Sequence, residues 1–446
     1  MTGPHVLVVG GGASGALIAA HLLRDRPSGY RVTVIEPAAL GRGLAYGTRS
    51  RSHLLNARAS NMSAFEDAPQ DFVDWLAVED PGAGADSYAE RRRYARYLEH
   101  VLLRATDGGR GGRLMHIRDA AVAVTEVAQG VRIELASGPS VVGQAAVLAV
   151  GHGLLARPPA PLASAPEGDV LILGTGLGMV DEVLNLIDVG HAGRIVALSR
   201  RGQAPQAHRS RGRMRLDPAD VPFGTSLSWL MRWLRAEAEA EMRAGVHWGD
   251  LVDAVRPHVP QIWGNLPPEA RRRFLRHLRP WWDSHRHRMA PEIARRIHGA
   301  QSGGRLTIAA GRVLAREDGP DGSLVTWRPR GSGEIRSGRF ARVIDCTGPR
   351  HGPVAADGLL SSLIAAGVAR PDPLGLGIEV GHGLGVLRRS NPLPSRRIYA
   401  IGPITAPLAW EAYAVPEIRR QCALLTRALG STLADLRDWP RAAQIE

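Results

Sequence analysis

Six residues near the start of the chain constrain its fold more than any others: Gly10-Gly11-Gly12-Ala13-Ser14-Gly15, directly after the apolar run Val6–Val9. A G-x-G-x-x-G that ends a strand and opens a helix has a specific use. Gly10 makes the tight turn, Gly12 lets a pyrophosphate approach the backbone, and Gly15 lets the helix pack on the strand. With Ala13 and Ser14 opening that helix, an anion meets free N–H groups and the positive end of the helix dipole. The next apolar run, Val32–Ile35, ends in Glu36. An acid about twenty residues past the last glycine is placed to bind ribose hydroxyls. Between the two runs Ile18 and Leu22 stand four apart, on one helical face. The spacing predicts a β-α-β dinucleotide-binding unit.

A second unit follows. Gly174-Thr175-Gly176-Leu177-Gly178-Met179 comes after Val170–Leu173 and before a helical pattern near Val180–Val189, and the next strand is Ile195–Leu198. Met179 stands where the third small residue belongs, so this helix is expected to sit differently on its strand. The following strand ends not in an acid but in Ser199-Arg200-Arg201-Gly202. An arginine here accommodates the 2′-phosphate of NADP, whereas an acid favours NAD. The reading is NADPH, the alternative being that Arg200 and Arg201 simply belong to a basic surface.

Three further strand ends carry glycine: Ala149-Val150-Gly151-His152, Ile344-Asp345-Cys346-Thr347-Gly348-Pro349 and Ala400-Ile401-Gly402-Pro403, the last before a helix starting near Pro416. Near-continuous apolar strands of this kind suit a parallel sheet buried on both faces. Val131–Ala136 and Ser323–Arg328 alternate and read as antiparallel additions. The expected fold is α/β, with two Rossmann-like dinucleotide-binding domains and a helical insertion. In two-dinucleotide flavoproteins, strand ends like those at Gly151 and Gly348 link an FAD domain to an NAD(P) domain; on that likeness residues 1–157 would form the first part of an FAD domain and 336–446 its second part. Residues 158–335 would form an NAD(P) domain, with the insertion at about 226–300. Candidate seams are Arg157–Pro166 and the glycine-rich Gly319–Gly338.

Composition narrows the partners. A chain of 446 residues suggests two or three domains. Its net charge of +13 comes with no lysine, so all 56 basic residues are arginine. That excludes a P-loop lysine and Schiff-base chemistry. From Arg200 to Ala300 there are 19 arginines against 10 acidic residues. Such a patch could bind nucleic acid or an anionic substrate, a solvated helical face being the plainer reading. No apolar run is long enough to span a bilayer. The apolar start leads into glycines, so it reads as a strand rather than a signal peptide. Two distant cysteines, Cys346 and Cys422, make no disulfide framework and suit a reducing cytoplasm.

The chain resembles the YdhS-like FAD/NAD(P)-binding proteins, a bacterial family, over nearly its full length. The resemblance rests on Gly41-Arg42-Gly43-Leu44-Ala45-Tyr46, His53-Leu54-Leu55-Asn56 with Met62-Ser63, and the second glycine loop with Val180-Asp181. It continues in Ser199–Gly202 with His208, in Phe274–Pro280, in Trp282–Met289 and in Pro416-Glu417-Ile418-Arg419. On it, Gly41, Gly43 and Tyr46 join the FAD-binding set. More distantly the chain is similar to class B flavin monooxygenases. Asn56, Met62 and Glu66-Asp67-Ala68-Pro69 resemble the segment beside the reactive flavin face in the flavin-containing group. That resemblance puts Asn56 near flavin C4a and N5 as a hydrogen-bonding orienter, with a loop asparagine capping backbone as the other reading. It also implies that NADPH reduces FAD, that molecular oxygen adds at C4a, and that a small metabolite, an amine or acid, is oxygenated. The Baeyer–Villiger fingerprint is absent. Many FAD proteins place an aspartate after the last strand-end glycine to hold the ribityl chain, whereas this chain has Pro403.

Other chemistry has less support. His285 and His287 are two apart and do not share a helical face, so the His285–Arg288 run with His277 and Asp283 reads as an anion patch or surface network, not a metal site. Trp229, Trp233, Trp248, Trp263, Trp281 and Trp282 either line a pocket or pack helices. Three functions stay open: an NADPH-dependent flavin monooxygenase, an NAD(P)H-flavin reductase serving a quinone or other acceptor, and a flavin-bound basic protein that is non-catalytic or associated with RNA.

Overall fold

The computed structural model describes residues 3–25, 27–106, 112–152, 166–209, 214–348 and 358–442. The seam expected at Arg157–Pro166 lies outside them but for its last residue. The chain divides into two compact units. The first comprises Met1–Arg49, Ala57–Ala156 and His351–Glu446, the second Ser50–Asn56 and Arg157–Arg350.

In chain order the first unit carries β1 (His5–Val9), β2 (Arg31–Ile35), β3 (Leu114–Ile117), β4 (Ala121–Val127), β5 (Gly130–Leu135), β6 (Ser140–Gly143) and β7 (Ala145–Leu148). The second carries β8 (Val170–Leu173), β9 (Ile195–Ser199), β10 (Leu306–Gly319), β11 (Gly322–Pro329), β12 (Arg336–Phe340) and β13 (Arg342–Asp345). The first unit then resumes with β14 (Gly385–Leu387) and β15 (Pro394–Ala400).

The main sheet of the first unit runs β14-β15-β7-β1-β2-β3, and β4-β5-β6 form a separate antiparallel sheet. All pairs from β15 to β3 are parallel. The central β1 is at most 4% exposed from Val6 to Val9, as an uninterrupted apolar strand requires when both faces are covered. Nine residues of helix Ala13–Arg24 are buried, between the sheet and helices Arg91–Ala105 and Val415–Ala442. Because the strands are parallel, Gly10, Glu36, Gly151 and Gly402 all leave the same, carboxyl edge of the sheet. That edge is where open α/β sheets bind ligands.

The second unit repeats the plan in the order β12-β11-β10-β9-β8-β13. Strands β13, β8, β9 and the first residues of β10 are parallel. Strand β10 then continues into an antiparallel meander with β11 and β12, sealed by Leu171, Leu198, Val325 and Phe340. Here two boundaries differ from expectation. The glycine-rich stretch Gly319–Gly338 is no linker: Gly319 pairs with Gly322 to close a hairpin, and a Cβ on Gly322 would stand 2.3 Å from the carbonyl of Phe340 on the neighbouring strand. Residues 336–345 belong to the second sheet, because β13 pairs in parallel with β8.

Between β9 and β10 lies the expected helical insertion: Leu227–Arg243, Trp248–Val255, Val259–Asn265, Pro268–Arg273, Arg279–Arg286 and Pro291–Ser302. Prolines divide it by opening helices, at Pro260, Pro268, Pro280 and Pro291, where the missing N–H costs nothing. Trp263 is buried as helix packing, but Trp229 and Trp281 are each 49% exposed and pack little. No helix among the described residues is long and apolar enough to cross a membrane.

Candidate functional site

The first glycine loop is built to leave its helix end free. Gly10 has φ +96°, and a Cβ there would stand 2.6 Å from the carbonyl of Ala149 at the end of β7. Gly15 admits no side chain at all: its Cβ would lie 1.9 Å from the carbonyl of Gly10. Gly12 is the N-cap of helix Ala13–Arg24, in extended backbone, and no side chain caps it. The first amides of the helix therefore stay available to an anion. The Glu36 carboxylate is already oriented, Oε2 accepting from Gly11 N at 2.8 Å and Oε1 from Ala38 N at 3.0 Å. Its remaining lone pairs can take ribose hydroxyls.

Around this loop Gly41, Gly43 and Gly402 converge. Gly41 donates its N–H to the carbonyl of Gly11 at 2.7 Å, and Gly43 lies so close that a Cβ on it would stand 3.0 Å from Gly12 Cα. Tyr46 ends the short helix Gly43–Tyr46, its ring 4.7 Å from that of the buried Tyr94, and desolvation pushes its phenol up to about 12. Ser14 is buried, and Gly402, with φ +76°, approaches it so that a Cβ would meet Ser14 Oγ at 2.4 Å. Sequence reasoning missed what holds Gly402 there. Gln421 Oε1 accepts from Gly402 N at 2.7 Å, Gln421 Nε2 donates to Thr405 Oγ1 at 2.8 Å, and Thr405 Oγ1 donates to the Gly402 carbonyl at 2.8 Å. Nothing local marks a glutamine nineteen residues downstream as the partner of a strand-end glycine. Gly151 makes the left-handed turn after β7, with open space where a side chain would be. Met62 is buried in the core.

In the second unit Gly174 repeats Gly10, with φ +102° and a Cβ position 2.4 Å from the carbonyl of Cys346 after β13. Gly176 repeats Gly12 as an uncapped N-cap, with no atom within 4 Å of its Cβ position. Leu177 and Gly178 form the first turn, and Gly178 faces the Cys346 side chain. Gly348 makes a left-handed turn after β13, as Gly151 does after β7. Where Glu36 stands in the first unit, Ser199 Oγ accepts from Gly202 N at 3.0 Å and lies 2.9 Å from Thr175 Oγ1. Arg200 is exposed and Arg201 half-buried, and neither forms an ion pair among the described residues. A strand end with a hydroxyl and two unpaired guanidinium groups suits a phosphorylated ribose and repels nothing anionic.

The segment carrying Asn56 packs within the second unit. Ser52 Oγ accepts from Arg296 at 2.6 Å, His53 Nε2 lies 3.3 Å from the carbonyl of Asp181, and His208 Nε2 donates to the carbonyl of Asn56 at 2.9 Å. The Asn56 side-chain amide has no partner among the described residues. In the first unit, Asp67 forms a two-pronged ion pair with Arg24 at 2.7 and 2.8 Å, which holds its carboxyl below the usual range. The histidine run is tied up structurally. Arg288 is buried against Asp253, His287 lies 3.8 Å from Asp283, and His285 packs edge-on against Trp248. Both cysteines are free, and burial pushes the Cys346 thiol up to about 12.

Residues 7–153 match a family model described as FAD-NAD(P)-binding. No curated protein is significantly similar in sequence. Among solved structures, reduced ornithine hydroxylase from Pseudomonas aeruginosa is 16% identical with a TM-score of 0.61, the match covering 97% of this chain and 100% of that one. Ornithine N-hydroxylase from Kutzneria sp. 744, solved with reduced FAD, NADP+ and L-ornithine, is 14% identical with a TM-score of 0.62, over 97% and 99%. Thioredoxin reductase from Lactococcus lactis is 10% identical with a TM-score of 0.52, over 97% and 99%. At these identities the likeness is one of fold. The chain has the fold expected from its sequence, the two-dinucleotide-binding flavoprotein fold that monooxygenases and reductases share.

Proposed function

We propose that this chain is an FAD-dependent monooxygenase that takes electrons from NADPH and uses molecular oxygen to oxygenate a small metabolite, an amine or an acid. The observation that carries the reading is a contrast: two glycine loops of like backbone, one answered at the next strand end by Glu36 and the other by Ser199-Arg200-Arg201. In this reading the first loop holds the FAD pyrophosphate, with Glu36 on its ribose, and Gly41, Gly43, Tyr46, Met62, Gly151 and Gly402 shape the rest. The second holds NADPH at Gly174, Gly176, Leu177, Gly178 and Gly348, with Arg200 and Arg201 on the 2′-phosphate. Bound FAD supplies hydride acceptance and oxygen activation, and the protein supplies orientation and exclusion of water. The amide of Asn56, without a partner among the described residues, is assigned as a hydrogen-bonding orienter beside the flavin. Within this class we assign the chain to the YdhS-like proteins, on the motifs that run from Gly41–Tyr46 to Pro416–Arg419, working in the cytoplasm with both thiols reduced.

A reductase that passes electrons to a quinone or other acceptor is the second reading, favoured by the likeness to thioredoxin reductase. A dithiol mechanism does not suit this chain, since its two cysteines are far apart and free.

The test is the absorbance of the FAD-loaded protein, reduced without oxygen by NADPH or NADH and then exposed to air. Faster bleaching by NADPH, then a lasting new band before the oxidised spectrum returns, is the expected result. Fast bleaching with featureless reoxidation supports the reductase. A protein that holds no FAD overturns both.

A further inference from the structure

The helical insertion pairs most of its arginines. Arg279 meets Asp283 at 3.2 Å, Arg288 meets Asp253, Arg296 meets Asp188 at 2.6 Å, and Arg271 donates to the carbonyl of Trp263 while stacking on its ring. Six form no ion pair and no hydrogen bond among the described residues: Arg272, Arg276 and Arg295, each exposed, and three that stand together. These are Arg232, Arg235 and Arg273, Arg232 only lying 5.2 Å over the Trp229 ring. All three open onto one groove of about 360 Å³, between helix Leu227–Arg243 and the turn Phe274–Leu278. His277 joins them, and Leu227, Ser228, Met231 and Leu278 complete the lining; no acidic residue does.

The turn itself is unusual. Phe274–Leu278 is a π-turn set between two α-helices, a wider turn that is rare and often marks functional positions. It puts Arg273, His277 and Leu278 on one wall of the groove. The groove falls in the size range of small-molecule sites, about 300–1,000 Å³. Three like charges on one small concavity repel each other and call for a counter-charge. A carboxylate would answer one of them. A phosphate monoester carries about −1.5 to −2 at neutral pH, and its oxygens match the planar guanidinium fork. The apolar lining suits a short hydrocarbon arm.

We infer that this groove binds a soluble organic phosphate, the phosphate held by Arg232, Arg235 and Arg273 and an apolar arm lying along Leu227, Met231 and Leu278. The inference does not rest on the oxidoreductase reading, because binding is measured with no NADPH and no turnover.

Hexyl phosphate titrated calorimetrically into the full-length protein is the probe. Saturable 1:1 binding is expected, tighter than for inorganic phosphate, hexanoate or hexanol. The R235A/R273A variant should bind at least about tenfold more weakly, with its melting temperature unchanged. R276A removes an exposed arginine of the same turn that does not line the groove, and should bind like the parent. Absence of saturable binding, equal weakening by R276A, or hexanoate binding as tightly as hexyl phosphate would each overturn the inference. So would displacement of hexyl phosphate by NADP+, which would make the groove part of the nicotinamide site. Binding to phosphatidic acid vesicles without binding to hexyl phosphate would assign it to a membrane surface instead.

Discussion

The two glycine loops are the same device solved twice, and they differ in what each could give up. Gly10 and Gly174 share a left-handed backbone and press on the carbonyl of a neighbouring strand end, Ala149 in one and Cys346 in the other. Gly12 and Gly176 share an uncapped, extended N-cap. The third position parts them. Gly15 is locked under Gly10, whereas Met179 carries a full side chain and is wholly buried. The turn and the open helix end are thus the parts common to both loops. The third position is the adjustable one, since in the second loop it takes a buried methionine.

That contrast is most easily broken at its third position. Gly15→Ala should destabilise the first unit by several kcal/mol and cost about a hundredfold or more in FAD affinity, since no rotamer relieves a Cβ 1.9 Å from a backbone oxygen. Met179→Leu, at the matching place, should cost less than about 1.5 kcal/mol because volume is conserved. Thermal melts and FAD titration check both. Equal damage from the two would mean that the third position is as constrained in the second loop as in the first.

Next in size is the strand end. Arg200→Ala with Arg201→Ala should lower the preference for NADPH over NADH by about a hundredfold or more, as each of the two charge-assisted phosphate contacts is worth about 1.5–3 kcal/mol. The melting temperature should hold, since neither side chain forms an ion pair among the described residues. An unchanged preference would return these arginines to the general basic surface. The matching change in the first loop, Glu36→Gln, should weaken FAD by about tenfold, because an amide turns a donor toward one of the two N–H groups the carboxylate now accepts. FAD fluorescence on titration reads it directly.

The sequence was most informative where chemistry is local. The strand, glycines and next strand-end residue of each unit lie within about thirty residues, and their backbone geometry follows from residue type. Prolines 260, 268, 280 and 291 likewise marked the helix starts of the insertion. Legibility failed where partners are distant or a residue has two uses. Gly319–Gly338 read as a linker because glycines serve linkers and hairpins alike, and only pairing with the neighbouring strands tells them apart. The Gln421–Thr405 clasp on Gly402 joins a strand end to a helix, and no pattern records it. Trp229 and Trp233 share a helix face, yet the periodicity could not say that Trp229 faces outward.

The smallest effect sharpens the comparison through pH. Each loop's helix holds one ionisable group that burial disfavours in its charged form, and the two have opposite sign. His21, on helix Ala13–Arg24, lies with Nε2 3.0 Å from the carbonyl of Ala64 and its ring 4.8 Å from Phe65; desolvation holds it below the usual histidine range. Glu182, on helix Leu177–Asp188, is held above the usual carboxylate range by desolvation. A histidine kept neutral by folding leaves the unfolded chain to bind the extra proton, so the first unit should lose stability as pH falls through about 6.5. A carboxyl whose pKa folding raises works the other way: its contribution is present below its unfolded value and is lost as pH rises through the folded one. His21→Gln keeps a donor for Ala64 without titrating and should flatten the acid-side loss. Glu182→Gln should flatten the rise toward acid in the second unit. Each should change the melting temperature by a few °C at most across pH 5–7. If both variants flattened the same limb of the curve, the two helices would not be titrating in opposite directions, and the contrast drawn between the loops would stop at their glycines.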